Sequence, residues 1–82
     1  MDDIKERLTM TTQEVADTLY VNVRRVTDFR KAGLLQGFKT GKRYVYPVSS
    51  VERCLALCIG QDLTNREKVF AYGKWLKKLG KI

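Results

Sequence analysis

Apolar positions in this chain recur at helical spacing, then at strand spacing, then at helical spacing again. Val15, Ala16 and Leu19 form one face of a short helix that opens at Thr11. Glu14 follows Thr11 by three residues. In that spacing the Thr hydroxyl can accept from the Glu amide while the Glu carboxylate reaches back to the cap. The helix ends near Leu19, and a tight turn is expected across Leu19-Tyr20-Val21-Asn22. Asn22 is an N-cap residue type and opens a second helix from about Val23 to Ala32. Val26 and Phe29 are its inward stripe, and Gly33 fits the left-handed position that ends a helix. From Phe38 to Tyr46 the period falls to two. Tyr44 and Tyr46 then share one face, Arg43 and Val45 the other. Lys39-Thr40-Gly41-Lys42 supplies the hairpin turn, with Gly41 free to take positive φ, and Pro47 ends the second strand.

Helical spacing returns at Ser49, which with Glu52 repeats the capping-box pattern. The helix it predicts runs to about Ile59 with Val51, Leu55 and Ile59 as its stripe and Gly60 at its end. Thr64 with Glu67 gives a third such pattern. It opens a last helix from about Asn65 to Leu79, with Val69, Tyr72, Leu76 and Leu79 along one stripe and Phe70 and Trp75 beside it. Met1 to Leu8 is polar and reads as a frayed segment with at most a helical turn. With 82 residues and no internal repeat or linker, residues 1–82 form a single domain. The expected fold is mostly α with a small β-hairpin, about four helices in all. Residues 64–79 either complete its core or present a dimer or partner face through Val69, Tyr72, Trp75, Leu76 and Leu79.

Charge sharpens this outline. The formal net charge is +7, which favours a polyanionic partner. Residues 1–21 carry two cations against five carboxylates, whereas residues 22–46 carry seven cations against Asp28 alone. The excess therefore lies on the second helix and the hairpin. There is no His, and the two cysteines, Cys54 and Cys58, lack the further ligands a structural zinc site needs. They read as free thiols on one helix face. No serine constellation, phosphate loop or metal cluster is visible, so neither an enzyme nor a cofactor or metal is expected. No apolar run approaches the ~18–20 residues of a membrane span, and the acidic N-terminus lacks a signal-peptide core. A cytoplasmic protein with no membrane partner is the expectation.

The candidate chemistry follows from the helix geometry. With Val26 and Phe29 inward, the second helix turns Val23, Arg24, Thr27, Asp28 and Lys31 outward. An exposed helix of this kind can enter the major groove of a duplex, where Arg24 can fork onto guanine and Thr27 can meet a thymine methyl or a phosphate. Asp28 can accept from cytosine or orient Arg24, four residues before it. Arg25 and Arg30 flank this face and suit phosphates. The first helix offers its amides at Thr12 and Gln13 to a phosphate. The hairpin adds Lys39, Thr40, Lys42, Arg43 and the adjoining Tyr44, placed to lie along the backbone or in the minor groove.

Glu14-Val15-Ala16-x-x-Leu19-x-Val21-Asn22, Arg24-Arg25-Val26, Gly33-Leu34-Leu35 and Gly41-Lys42-Arg43-Tyr44 together resemble the winged helix-turn-helix group of phage excisionases and the DNA-binding heads of MerR-type regulators. The DNA-binding head of some phage small terminases is a further relative. The resemblance spans about Leu8 to Leu57. It implies a winged helix-turn-helix fold with Ala16 where the two helices cross. It also implies Arg24, Arg25 and Thr27 as recognition-helix contacts, Lys42 and Arg43 as wing contacts, and a Ser49 helix closing the sheet. Tyr20 departs from the pattern, since this turn usually holds Gly. Either the turn is reshaped or the Tyr20 ring gains packing elsewhere. The last helix does not match the coiled coil of MerR-type regulators, so no small-molecule effector is expected.

These readings converge on sequence-specific binding of double-stranded DNA without chemistry, with a homodimer or cooperative oligomer on DNA as a further expectation. The leading role is a small phage or mobile-element regulator that represses by occupying an operator. An excisionase-like DNA-bending factor and a packaging recognition subunit are alternatives within DNA binding. A protein-interaction adaptor acting through the last helix is the alternative outside it.

Overall fold

A computed structural model describes residues 8–82; of the segment Met1 to Leu8 expected to fray, all but Leu8 lies outside them, and the Leu8 carbonyl accepts a hydrogen bond from Val48 N. The elements run β1 (Thr9–Thr11), α1 (Thr12–Leu19), α2 (Val23–Ala32), β2 (Phe38–Thr40), β3 (Arg43–Pro47), α3 (Val48–Cys58) and α4 (Arg66–Lys78).

The first two helices begin and end as local sequence requires. Thr11 caps α1 with both halves of the box formed: Glu14 N donates to Thr11 Oγ1 at 3.2 Å and Thr11 N donates to Glu14 Oε1 at 2.9 Å. Asn22 caps α2 by accepting from Arg25 N at 2.8 Å. At the far end of α2, Gly33 takes φ 90, and the amides of Gly33 and Leu34 return to the carbonyls of Arg30 and Phe29. This paired closure satisfies carbonyls that the helix leaves open. Helix α1 closes in the same way, through Tyr20 to Asp17 and Val21 to Ala16. Here the left-handed residue is Tyr20 itself, at φ 59 and ψ 43. The turn is therefore not reshaped, and with the residue 94% exposed the ring gains no packing. Neither alternative offered for Tyr20 holds.

The hairpin carries a strand that the sequence reading missed. β1 pairs antiparallel with β3, Met10 opposite Tyr46 and Thr11 opposite Val45, so the sheet order is β1-β3-β2. The loop between β2 and β3 is only Gly41-Lys42, because Thr40 pairs with Arg43. Gly41 has φ 66 and Lys42 does not have positive φ, the pattern of a type II′ turn.

Two expected caps fail. Pro47, not a serine, precedes α3, and Ser49 lies inside the helix. Val48 N instead donates to Leu8 O at 2.8 Å, while Ser50 Oγ accepts from Gln36 N at 2.8 Å. For α4 the cap is Asn65, which accepts from Lys68 N at 2.9 Å, and Thr64 turns its hydroxyl to Asp62. The stripe on α3 also shifts. Val51 and Cys54 are buried, but Leu55 and Ile59 are exposed.

The core gathers Val15, Ala16, Val26, Phe29, Leu34, Leu35, Tyr46, Val51 and Cys54 with Val69 and Leu76 of α4. Helix α4 lies directly against α2, where Gly73 approaches Ala32. Tyr72 donates its hydroxyl to Leu57 O, and Arg53 donates to Lys81 O at 2.9 Å, joining α3 to α4 and to the chain beyond it. Helix α2 is thus clamped on its inner side by α1 and α4, which leaves its other face to solvent.

Candidate nucleic-acid interface

The open face of α2 is a ridge with a depression on each side. Toward the hairpin the depression is about 460 Å³. Its α2 wall is Val23, Thr27 and Arg30; the hairpin wall is Lys42, Arg43, Tyr44 and Tyr46; Thr11, Thr12 and Gln13 close the end. Three cations border it and no carboxylate does. Toward α4 a second depression of about 500 Å³ is lined by Arg24, Asp28, Lys31 and Arg66, with Thr12, Val23 and Thr27 shared between the two.

Arg30 is held by an aromatic face. Its guanidinium carbon lies 4.1 Å from the Tyr44 ring centroid, and that ring stacks on Tyr46 with centroids 6.4 Å apart. The attraction is electrostatic, the cation meeting the negative face of the ring. Arg30 makes no ion pair among the described residues, and its buried Nε has no hydrogen-bond partner there. The cation is therefore fixed in place while its charge remains unneutralised.

Asp28 is not the outward position the helix wheel gave it. It is 7% exposed and sits between two guanidinium groups, 3.5 Å from Arg25 Nη1 and 3.8 Å from Arg66 Nε. It does not pair with Arg24. Two cations hold it there, Arg25 on its own helix and Arg66 at the start of α4. Arg25 is half-buried by the same pairing and borders neither depression. Lys39 and Thr40 are exposed on the hairpin but also lie outside both. The remaining candidates on α2 and the hairpin, together with Thr12 and Gln13, do meet around the ridge. At the start of α1 the capping box uses the amides of Thr11 and Glu14, not those of Thr12 and Gln13.

On α4, Val69 and Leu76 are buried within the chain and so cannot form a partner face. Tyr72 is half-buried and stacked on Trp75, with centroids 5.9 Å apart, while Trp75 and Leu79 are exposed.

The family model described as a helix-turn-helix domain matches residues 9–56, more than half of the chain. The chain belongs to this helix-turn-helix family. The family includes excisionase-like domains. The four helices and three-stranded sheet are those of a winged helix-turn-helix, with α1 and α2 as its two helices and the β2–β3 hairpin as its wing. Comparison with curated proteins and with solved structures gives no match. Membership points to DNA as a partner.

The helix-turn-helix match ends before α4, so Arg66 lies outside it. Sequence reasoning missed Arg66, and also Thr11 and Tyr46, as residues bordering the site. One signal for Arg66 was present: a cation in the first turn of a helix faces the positive end of the macrodipole. Among the described residues no cluster of His, Cys, Asp and Glu could hold a metal, and no helix is long and apolar enough to cross a membrane.

Proposed function

We propose that this helix-turn-helix protein binds double-stranded DNA sequence-specifically, without chemistry, as a small regulator that represses by occupying an operator. The observation that carries the reading is the depression between α2 and the wing. Arg30, Lys42 and Arg43 converge there with no carboxylate among its lining residues. A phosphate backbone is the ligand that such a surface suits, and displaced counterions supply much of the affinity. Arg24, Thr27 and Lys31 on the exposed ridge supply donors for base edges, which carry the sequence information.

An excisionase-like architectural role is the second reading, favoured by the composition of the family. The two differ in the sites they need. Selection of bound sequences from a random duplex pool is expected to return a defined motif: a single palindrome for a dimeric repressor, tandem direct repeats for the architectural factor. Affinity for any duplex is expected to fall steeply with salt. Failure to bind duplex at low salt would overturn DNA binding and leave an adaptor role.

A further inference from the structure

Arg66 occupies a position that helix energetics disfavours. It is the first residue of α4, where an acidic side chain would suit the macrodipole and a cation does not. Its side chain is 67% exposed, so burial does not explain it either. Two contacts hold it: Asp28 Oδ1 at 3.8 Å from Nε, and the Phe70 ring, whose centroid is 5.5 Å from the guanidinium carbon. Asp28 is itself shared with Arg25, so one carboxylate stands between two cations and the cluster keeps net positive charge. Asp28 and Arg66 of that cluster lie beside the ridge of α2, in the depression that also takes Arg24 and Lys31.

We propose that Arg66 is a DNA phosphate contact, so that α4 extends the binding surface past the helix-turn-helix unit, and that Asp28 is the positioning residue that ties it to α2. The proposal rests on the DNA-binding reading given above. A duplex seated on α2 has the wing on one flank and α4 on the other, and Arg66 gives the second flank a cation to match those of the first. Exposure of its side chain leaves the guanidinium accessible to a phosphate oxygen, which it can meet in the bidentate manner. The buried Asp28 carboxylate limits how far the side chain can swing, so less freedom is lost on binding.

The test is the salt dependence of binding to a random duplex, measured for the whole chain carrying Arg66→Ala, Arg66→Lys, Asp28→Asn, or Asp28→Asn with Arg66→Ala. Each phosphate contact contributes about 0.9 to the slope of log K against log salt, so a fourfold rise in salt should cost Arg66→Ala about 3.5-fold less affinity than it costs the wild type. Arg66→Lys should keep the wild-type slope. Lys78→Ala, at the opposite end of α4, removes the same charge and should leave the slope unchanged. The decisive comparison is made in the Asp28→Asn background, where no carboxylate remains for Arg66 to neutralise. If adding Arg66→Ala there still lowers the slope by about one contact, Arg66 meets phosphate. If it does not, or if Arg66→Ala alone leaves the slope unchanged, Arg66 serves only Asp28 and the proposal fails. Wild-type protein that binds no duplex would instead defeat the DNA-binding reading itself.

Discussion

Gly73 of α4 lies against the Ala32 carbonyl of α2 so closely that a Cβ built on it would stand 2.4 Å from the oxygen and 3.0 Å from the Ala32 Cβ. The obstacle is mostly backbone, so it cannot swing aside as a flexible side chain would. The contact sets the distance between α4 and the helix that carries Arg24 and Thr27.

Gly73→Ala is therefore expected to destabilise the fold, despite the better helix propensity of Ala. Overpacking of this kind costs about 1–3 kcal/mol, and each kcal/mol lowers Tm by roughly 4–8 °C in a domain of this size. Thermal unfolding followed by circular dichroism measures it. An unchanged or raised Tm would show that the two helices can separate freely.

Tyr20→Gly is expected to do the opposite. A left-handed backbone costs a non-glycine residue about 1–2 kcal/mol, and glycine gives back roughly half of that through the greater freedom of its unfolded chain. The Tyr20 ring is 94% exposed and contributes no burial to set against this. The net gain should be about 0.5–1 kcal/mol, read as a raised denaturation midpoint. A loss of stability would mean that the ring makes contacts its exposure does not show.

Arg24 and Tyr44 should fail differently. Arg24→Ala removes an exposed ridge residue and is expected to weaken specific binding by about 1–3 kcal/mol while relaxing preference at one base position. Equal weakening on specific and random duplexes would place Arg24 on phosphate instead. Tyr44→Leu leaves every cation present but removes the ring that holds Arg30. Losing a contact worth about 0.5–1 kcal/mol should weaken binding to either duplex roughly two- to fivefold. Unchanged affinity would show that Arg30 does not need its platform.

The thiols of α3 make a pH prediction. Cys54 Sγ and Cys58 Sγ are 3.9 Å apart. Cys54 is pushed far above the ordinary cysteine range by its hydrogen bond to Cys58 and then by burial. Cys58 is pulled below that range, because the Cys54 thiol can donate to its thiolate. The first thiolate to form as pH rises is thus on Cys58. Iodoacetamide should label Cys58 first, with a midpoint below that of a free cysteine, and Cys54→Ala should move that midpoint upward. Preferential labelling of Cys54 would contradict the assignment.

What the sequence made legible was local. Thr11 and Glu14 hold each other across three residues, and Asn22 and Gly33 act on their own helix ends, so spacing alone revealed them. The three-residue strand Thr9–Thr11 escaped because its identity comes from β3, far along the chain. Ser49 and Thr64 matched a cap pattern, but Pro47 fixed the start of α3 one residue after β3, and Asn65 stood nearer the start of α4. Within the site, the ridge residues followed from the inward placement of Val26 and Phe29. Asp28 did not, since one of the two cations that hold it lies 38 residues away on another helix. Trp75, beside the stripe of α4, and Leu79, on it, keep their exposure after α4 has packed, whereas Val69 and Leu76 of that stripe are consumed by the core.

Thr11 serves three roles at once: last residue of β1, cap of α1, and partner of Val45 in the wing strand. The wing and the first helix therefore share a hinge pin, with no slack of chain between them. Any force that tilts the hairpin must also tilt the start of α1, so the two move as one part rather than as independent arms.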